Sequence, residues 1–320
     1  MKHLKVFEKF EDLKSICREF DIRNWTANPD GTVDINGNVY LGNRELIKLP
    51  LKFGKITGDF NCSLNKLTTL EGSPREVGGD FDCSWNQLDS LEGCPTKVGG
   101  YFDCSYNQLV NLEGSPNKIG RHFYCNNNQL DSLEGGPTLV GGIFHCYNNQ
   151  LVSLVGLPKE IGDDLNCGWN KLTSLKGAPI EVGGEFYCEG NQLVSLVGSP
   201  KEVIGDFKCG HNKLITLDGG PSRVGGDFVC ISNPIFQVYK LFPDYKAYLD
   251  SLDYGYLRGT SIDKLRFQEA LDEIDINIPE SIPGYTYSYP TKKNPISNAY
   301  STKKNPISNV YKYLKNFKLF

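Results

Sequence analysis

From residue 33 to 238 the apolar positions fall on a fixed beat. Phenylalanine and cysteine stand two residues apart in unit after unit, from Phe60/Cys62 to Phe228/Cys230, and Leu165 is the only substitution at the Phe position. A spacing of two puts both side chains on one face of a strand. Three residues after each cysteine stands an asparagine: Asn65, Asn86, Asn107, Asn128, Asn149, Asn170, Asn191, Asn212 and Asn233. Two leucines three apart, such as Leu88 and Leu91, then point inward as the chain turns away. Val98 supplies the inward contact on the opposite wall, with Gly-x-Pro before it and Gly-Gly after it marking the two turns. The nine cysteines from Cys62 to Cys230 recur every 21 residues without insertion. A period near twenty predicts a solenoid, in which one short unit stacks on copies of itself.

The pattern changes at both ends, where an open solenoid needs capping. Leu4, Phe7, Phe10, Leu13, Ile16, Cys17 and Phe20 recur at helical spacing, so residues 1–32 read as an N-terminal helical cap. The repeat array spans 33–238, with Asn38 to Leu49 as a degenerate first coil. Beyond Asn233-Pro234 the period fails. Ile235 to Phe242 and Tyr245 to Leu252 read as helices separated by Pro243, and Thr260 opens a capping-box-like helix start running to Leu271 or Ile274. Residues 239–284 are thus expected to form a C-terminal helical cap, ended by the proline-rich stretch from Ile278 to Gly284. Residues 285–320 read as a basic Tyr/Lys-rich tail containing an 11-residue duplication, in which the octapeptide starting at Thr291 recurs at Thr302.

Within a coil the asparagine has a structural role. Its amide can satisfy backbone groups of its own turn and the next coil, where an unpaired buried polar group costs ~1–3 kcal/mol. The cysteine column lies within disulfide reach by distance alone, since strands ~4.8 Å apart meet the ~4.4–6.8 Å Cα range. All nine side chains point the same way into one dry core, however, and the total of eleven is odd. Structural free thiols are expected, behaving as small hydrophobes. No C-x2-C pair exists, and His122 and Cys125, three apart, fall on opposite faces of their strand, as do the adjacent His145 and Cys146. No metal or cofactor is expected.

The unit resembles a leucine-rich repeat, L-x-x-L-x-L-x-x-N-x-L. Phe81, Cys83, Asn86 and Leu88 match four of the five marked positions, while glycine falls at the first and Val77 sits one residue earlier. More closely, the stretch from Trp25 to Asn38 and the run from Leu49 to Gly54 resemble uncharacterised repeat proteins of tailed bacteriophages. The resemblance implies an α/β solenoid: a curved array with a parallel sheet on its concave face, helical caps at both ends, and a viral origin. It implies no biochemical activity.

The net charge of −4 hides an asymmetry. Residues 281–320 hold seven lysines and no acid, which leaves 27 basic against 38 acidic side chains in the rest. The start of the chain has no apolar core of signal-peptide length, and no run approaches the ~18 apolar residues of a membrane span. A soluble cytoplasmic protein with reduced thiols is expected, in the host cytoplasm if viral.

Counting outward from each cysteine gives the positions a partner would meet. One column precedes the Phe (Asp59, Asp80, Tyr101, His122, Ile143, Asp164, Glu185, Asp206, Asp227). The second lies between Phe and Cys (Asn61, Asp82, Asp103, Tyr124, His145, Asn166, Tyr187, Lys208, Val229). The third follows Cys, and a fourth precedes the asparagine. The middle coils are rich in aromatics, which favour binding as rigid exposed anchors, although aromatic residues also satisfy strand propensity. The candidate protein-binding set is Trp85, Tyr101, Asp103, Tyr106, His122, Tyr124, His145, Tyr147 and Trp169. Asp82 and Asp103 would lie about 5 Å apart on adjacent strands, but every solenoid column gives that spacing. Nothing supplies a nucleophile, oxyanion site or phosphate loop, so a non-enzymatic protein-binding scaffold is expected, with its partner on the concave sheet. The tail lysines Lys292, Lys293, Lys303 and Lys304 offer a second mode, self-association or docking onto an acidic partner. Nucleic-acid binding by the Lys/Tyr tail ranks below both, and no membrane partner is expected.

Overall fold

The computed structural model describes residues 12–254 and 256–289. It divides into two compact units, Met1–Asn233 and Pro234–Phe320.

The first unit is a parallel β-solenoid of 21-residue coils. Ten two-residue strands form its first sheet: Val39–Tyr40, Phe60–Asn61, Phe81–Asp82, Phe102–Asp103, Phe123–Tyr124, Phe144–His145, Leu165–Asn166, Phe186–Tyr187, Phe207–Lys208 and Phe228–Val229. Neighbours pair in parallel with Phe opposite Phe, so each residue sits against its copy one coil away. Val39 takes the Phe position of the first coil, opposite Phe60. The inward side is dry. The Phe, Cys and both Leu columns are buried from Phe60 to Cys230. Rings run up the core at 5.1–5.8 Å between centroids from Phe60 to Phe144, stacked except for the tilted Phe123–Phe144 pair, and stacked at 5.2 Å from Phe186 to Phe228. Leu165 interrupts that stack.

The opposite wall is a second parallel sheet, an element the sequence pattern does not announce. Its strands are Phe53–Ile56, Glu76–Val77, Lys97–Val98, Lys118–Ile119 and Leu139–Val140, continued after a gap by Glu181–Val182, Glu202–Val203 and Arg223–Val224. The gap falls at the coil of Leu165, where only an isolated bridge joins Val140 to Ile161. The inward valine or isoleucine alternates with an outward residue that is charged in every coil but that of Leu139, which is the period of a half-buried strand. The two turns between the sheets need glycine for different reasons. Gly114 has φ +88°, where an L side chain is disfavoured, and a Cβ there would press on the Leu91 carbonyl of the coil below. Gly99 has an ordinary φ, but a Cβ on it would collide with the carbonyl oxygen of Gly78, so the coils stack too closely for any side chain.

The asparagine ladder is present, with one difference in direction. The Asn107 amide donates to the Cys104 and Ser105 carbonyls of its own turn and to Cys83 O of the preceding coil, while its Oδ1 accepts Leu88 N at 3.0 Å, also from the preceding coil. Each rung therefore reaches back rather than forward. The cysteines are all free and buried, and several thiols donate to the carbonyl of the next strand, as Cys104 Sγ does to Tyr124 O at 3.4 Å. Burial pushes the Cys62, Cys83 and Cys104 thiols well up from their ordinary range, and Cys94 to about 12.

The N-terminal region is helical over residues 12–19, with Cys17 buried; Leu4, Phe7 and Phe10 lie outside the described residues. The segment expected to complete a helical cap is instead an antiparallel hairpin, β1 (Trp25–Ala27) on β2 (Val33–Ile35), and β2 in turn pairs in parallel with Phe53–Ile56. The Asn28-Pro-Asp-Gly-Thr32 turn closes it: Asp30 Oδ1 accepts both Thr32 N and Thr32 Oγ1, and Gly31 has φ +84°. The antiparallel hairpin supplies the edge of the second sheet.

The second unit is mixed rather than purely helical. Helices run over Phe236–Tyr239, Tyr245–Ser251 and Lys264–Asp272. A three-stranded sheet comprises Leu257–Arg258, Ser261–Asp263 and Thr286–Ser288. Thr260 does not start a helix. Gly259, at φ +57°, turns a hairpin, and Asp263 caps the helix by accepting from Leu265 N and Arg266 N. Tyr256 and Phe267, buried with centroids 4.7 Å apart, anchor this unit. Thr286–Ser288, read from the sequence as tail, is its third strand; Lys292, Lys293, Lys303 and Lys304 lie outside the described residues.

Candidate functional site

The outward face of the first sheet carries the candidate residues, and each of its four columns has its own local geometry. In the column before Phe, a side-chain acceptor bonds the backbone N–H of the equivalent residue one coil on. Asp59 Oδ1 accepts Asp80 N, Asp80 Oδ1 accepts Tyr101 N, Asp164 Oδ1 accepts Glu185 N and Asp206 Oδ1 accepts Asp227 N, at 2.8–2.9 Å. His122 does the same through Nδ1, which accepts Ile143 N at 3.0 Å and so carries no proton there. His122 is therefore a rung of a second ladder as well as a face residue. The recurrence of Asp, Asn and His in this column is the sequence signal for it.

The second column closes a turn. Asp82 Oδ1 accepts Ser84 N at 3.0 Å and Ser84 Oγ at 2.6 Å, Asp103 Oδ1 accepts Ser105 N, and Asn61 and Asn166 do the same for Ser63 N and Gly168 N. This turn draws the small polar residues of the third column inward, while Tyr147 stays half-buried and Ile231 exposed. Ser63, Ser84, Ser105 and Asn126 are buried, contrary to the simple alternation that places them outward. The strand ends after two residues, so a period of two cannot be extended to a third position.

The fourth column is in the left-handed region throughout. Leu64, Trp85, Tyr106, Asn127, Asn148, Trp169, His211 and Ser232 have φ of 53–56°, and Gly190 has 64°. This flip brings the following asparagine into its ladder. Glycine or asparagine suits such a position, whereas a bulky residue there costs ~1–2 kcal/mol. Trp85, Tyr106 and Trp169 occupy it nonetheless. Trp85 and Tyr106 stack with centroids 3.9 Å apart and planes within 10°, and remain 51% and 37% exposed. Trp169 lies across Gly190, where any Cβ would strike the indole, and stacks on His211 at 6.2 Å.

The remaining aromatic candidates form one continuous group. Tyr124 has its ring 6.2 Å from Tyr101, 5.9 Å from His122 and 5.4 Å from His145, and His145 lies 5.7 Å from Tyr147. Burial raises the Asp103 carboxyl to about 6 against the two Ser105 bonds, with the Asp82 charge adding to the rise. Burial, with Asp82 and neighbouring carboxylates, pushes Tyr101 to about 12, and burial holds His145 below its usual range. Trp169 stands apart from this group with His211.

One cluster escaped the sequence reading. Lys208 bridges Glu185 at 3.0 Å and Asp206 at 3.1 Å and sits 4.7 Å over the Tyr187 ring, while Tyr187 Oη donates to Glu185. The signal was present as acid and base in neighbouring columns of adjacent coils. Lys208 is shared by the two carboxylates and offsets one of their two charges. Among the described residues no group of three or more His, Cys, Asp or Glu side chains is placed to hold a metal ion, and no helix is long and apolar enough to cross a membrane.

No protein-family model and no curated protein matches the chain. Among solved structures it is similar to YopM from Yersinia enterocolitica WA-314, with 14% identity and a TM-score of 0.31, over 61% of this chain. The match spans 64% of that protein's length, under two thirds. At this level the likeness adds nothing to what the coils themselves show: a parallel β-solenoid of 21-residue repeats, one face of which gathers exposed rings.

Proposed function

We propose that the chain is a non-enzymatic protein-binding scaffold whose interface is the outward face of the first sheet. The carrying observation is the fourth column. Trp85, Tyr106 and Trp169 lie outside the strands, so strand propensity does not account for them, and they hold a backbone conformation that disfavours large side chains. Strain retained at exposed aromatic positions points to use. Tyr124 and His145, by contrast, lie in strands, and Tyr101, His122 and Tyr147 extend their ring group across neighbouring coils. Their rings pack against one another, and pre-packed aromatic side chains make good binding anchors. The phage resemblance would make the partner a host factor or virion component. The test is capture of partners from the native host by the full chain, by a Trp85→Ala/Trp169→Ala variant and by a Tyr124→Ala/Tyr147→Ala variant. Loss of a partner by either folded variant supports the reading, and a partner set unchanged in both refutes it. A second reading, assembly through the basic tail, is favoured by the seven lysines of residues 281–320 and the excess of acidic residues in the rest of the chain.

A further inference from the structure

The ladder in the column before Phe contains a rung that acid can break. Asn38, Asp59, Asp80, Asp164 and Asp206 each turn an Oδ1 to the backbone N–H one coil on, at 2.8–2.9 Å. An amide oxygen accepts at any working pH, and a carboxyl keeps acceptor capacity even when protonated. His122 makes the same rung through Nδ1, which accepts Ile143 N at 3.0 Å. An imidazole nitrogen accepts only while it carries no proton, and in the imidazolium both nitrogens are donors. Histidine is the side chain that changes charge between about pH 5 and 8. A second proton on His122 would set two donors, Nδ1–H and the Ile143 N–H, against each other, and Ile143 N has no other described acceptor.

The ring has little room to adjust in place. It lies over Gly142, where a Cβ would fall 2.6 Å from Nδ1 and 2.9 Å from Cε1. Turning away from Ile143 therefore carries the half-buried ring outward, towards the group that holds Tyr124 at 5.9 Å. The charged and titratable groups there are Arg121 and Tyr124 of its own coil, and Tyr101 and Asp103 of the coil before. His145 stands in the coil after, with Asp163 and Asp164 one coil further. Burial holds His145 below its usual range, and a charge on His122 opposes one on His145.

We propose that His122 is an acid-sensitive latch on the ring group. Neutral, it is pinned to Ile143 and the rings keep one arrangement. As imidazolium it leaves the ladder and puts a positive charge among Tyr101, Tyr124 and His145, so partner binding at this face weakens in mild acid, as in other histidine-gated interfaces. The proposal rests on the reading of this face as an interface and assigns its regulation.

The fold supplies the control variant. Asn38 shows that asparagine makes this rung, so His122→Asn keeps an acceptor and removes the titration. The first experiment follows the full chain by NMR from pH 7.5 to 5.5. The His122 ring nitrogen shifts should show Nδ1 unprotonated at pH 7.5. The hydrogen-exchange protection factor of the Ile143 amide should fall about tenfold across the range, the scale of one lost hydrogen bond. The Tyr101 and Glu185 amides, held by Asp80 and Asp164, should keep theirs. The fall should vanish in His122→Asn and persist in His145→Asn. A protonated Nδ1 at pH 7.5, constant protection at Ile143, or an equal fall in His122→Asn overturns the latch, and none of these readouts needs a partner. The second experiment repeats the partner capture at pH 7.5 and 5.5, where the full chain should lose most of its partner in acid and His122→Asn should retain it. If a ring variant loses a partner at pH 7.5 but acid does not release it, the latch does not govern binding. If neither ring variant loses a partner, the reading of the face as an interface is what fails.

Discussion

Replacing Asn107 by alanine tests the physical basis of the coil. Four hydrogen bonds converge on this side chain: three donated by Nδ2, to Cys83 O, Cys104 O and Ser105 O, and one accepted from Leu88 N. The losses are unequal. Cys83 O keeps the Asn86 amide, Cys104 O keeps the Asn128 amide, and Ser105 O keeps Trp85 N. Leu88 N is left buried with no other described acceptor. An orphaned buried donor costs ~1–3 kcal/mol and each lost bond ~0.5–1.5 kcal/mol. The total destabilisation expected is about 3–5 kcal/mol, large against the ~0.5 kcal/mol or less of an ordinary surface change. Gln108→Ala, one residue away with its side chain exposed, is the control. Urea unfolding followed by circular dichroism reads the global effect, and hydrogen exchange at the Leu88 amide reads the local one. If Asn107→Ala matches Gln108→Ala in both, the asparagines are not what holds the turns, and the ladder is only a geometric coincidence of the repeat.

Other substitutions probe the core, the turns and the face. Phe123→Ala, in the middle of the ring stack, should cost about 3–5 kcal/mol by urea unfolding. Gly114→Ala should cost more than ~1 kcal/mol, because its positive φ and its contact with the Leu91 carbonyl oppose a Cβ together. The Asp103 carboxyl is raised in the fold from 3.8 to about 6, so its favourable contribution is complete below 3.8 and lost as pH rises through 6. Asp103→Asn should therefore stabilise the chain by about 1–2 kcal/mol at pH 7.5 and by little at pH 4, read as the difference in melting midpoint. The buried thiols are raised above their ordinary 9.0, with Cys94, Cys167 and Cys230 at about 12. Their stabilisation is complete below pH 9 and lost as pH climbs towards 12. Native protein should accordingly resist thiol reagents at pH 8, release all eleven thiols on unfolding, and melt at a lower temperature at pH 10.5 than at pH 8.

The sequence by itself determined the coil. A 21-residue period with Phe and Cys two apart fixes the strand and its inward face, because side chains alternate with period two and only one face can be dry. It also fixed the asparagine turn and the burial of every cysteine in the array, since a column of identical residues at the inward position has nowhere to go but the core. Tertiary structure decided what happens where the alternation stops. Ser84 and Asn126 turn inward, and Trp85 and Tyr106 flip to the left-handed region, because the Asx turn and the asparagine ladder together dictate the backbone there. No local preference of serine or tryptophan would place them so. The second sheet and the strand Thr286–Ser288 were likewise beyond the sequence pattern, because each exists only through hydrogen bonds to residues distant in the chain; the hairpin of Trp25–Ala27 on Val33–Ile35 is local, and its signal was the Asn28-Pro-Asp-Gly31 turn. The candidate face was legible as a set of positions. Its geometry, with Trp85 stacked on Tyr106, follows from the stacking of coils one on another, which brings residues 21 apart into contact.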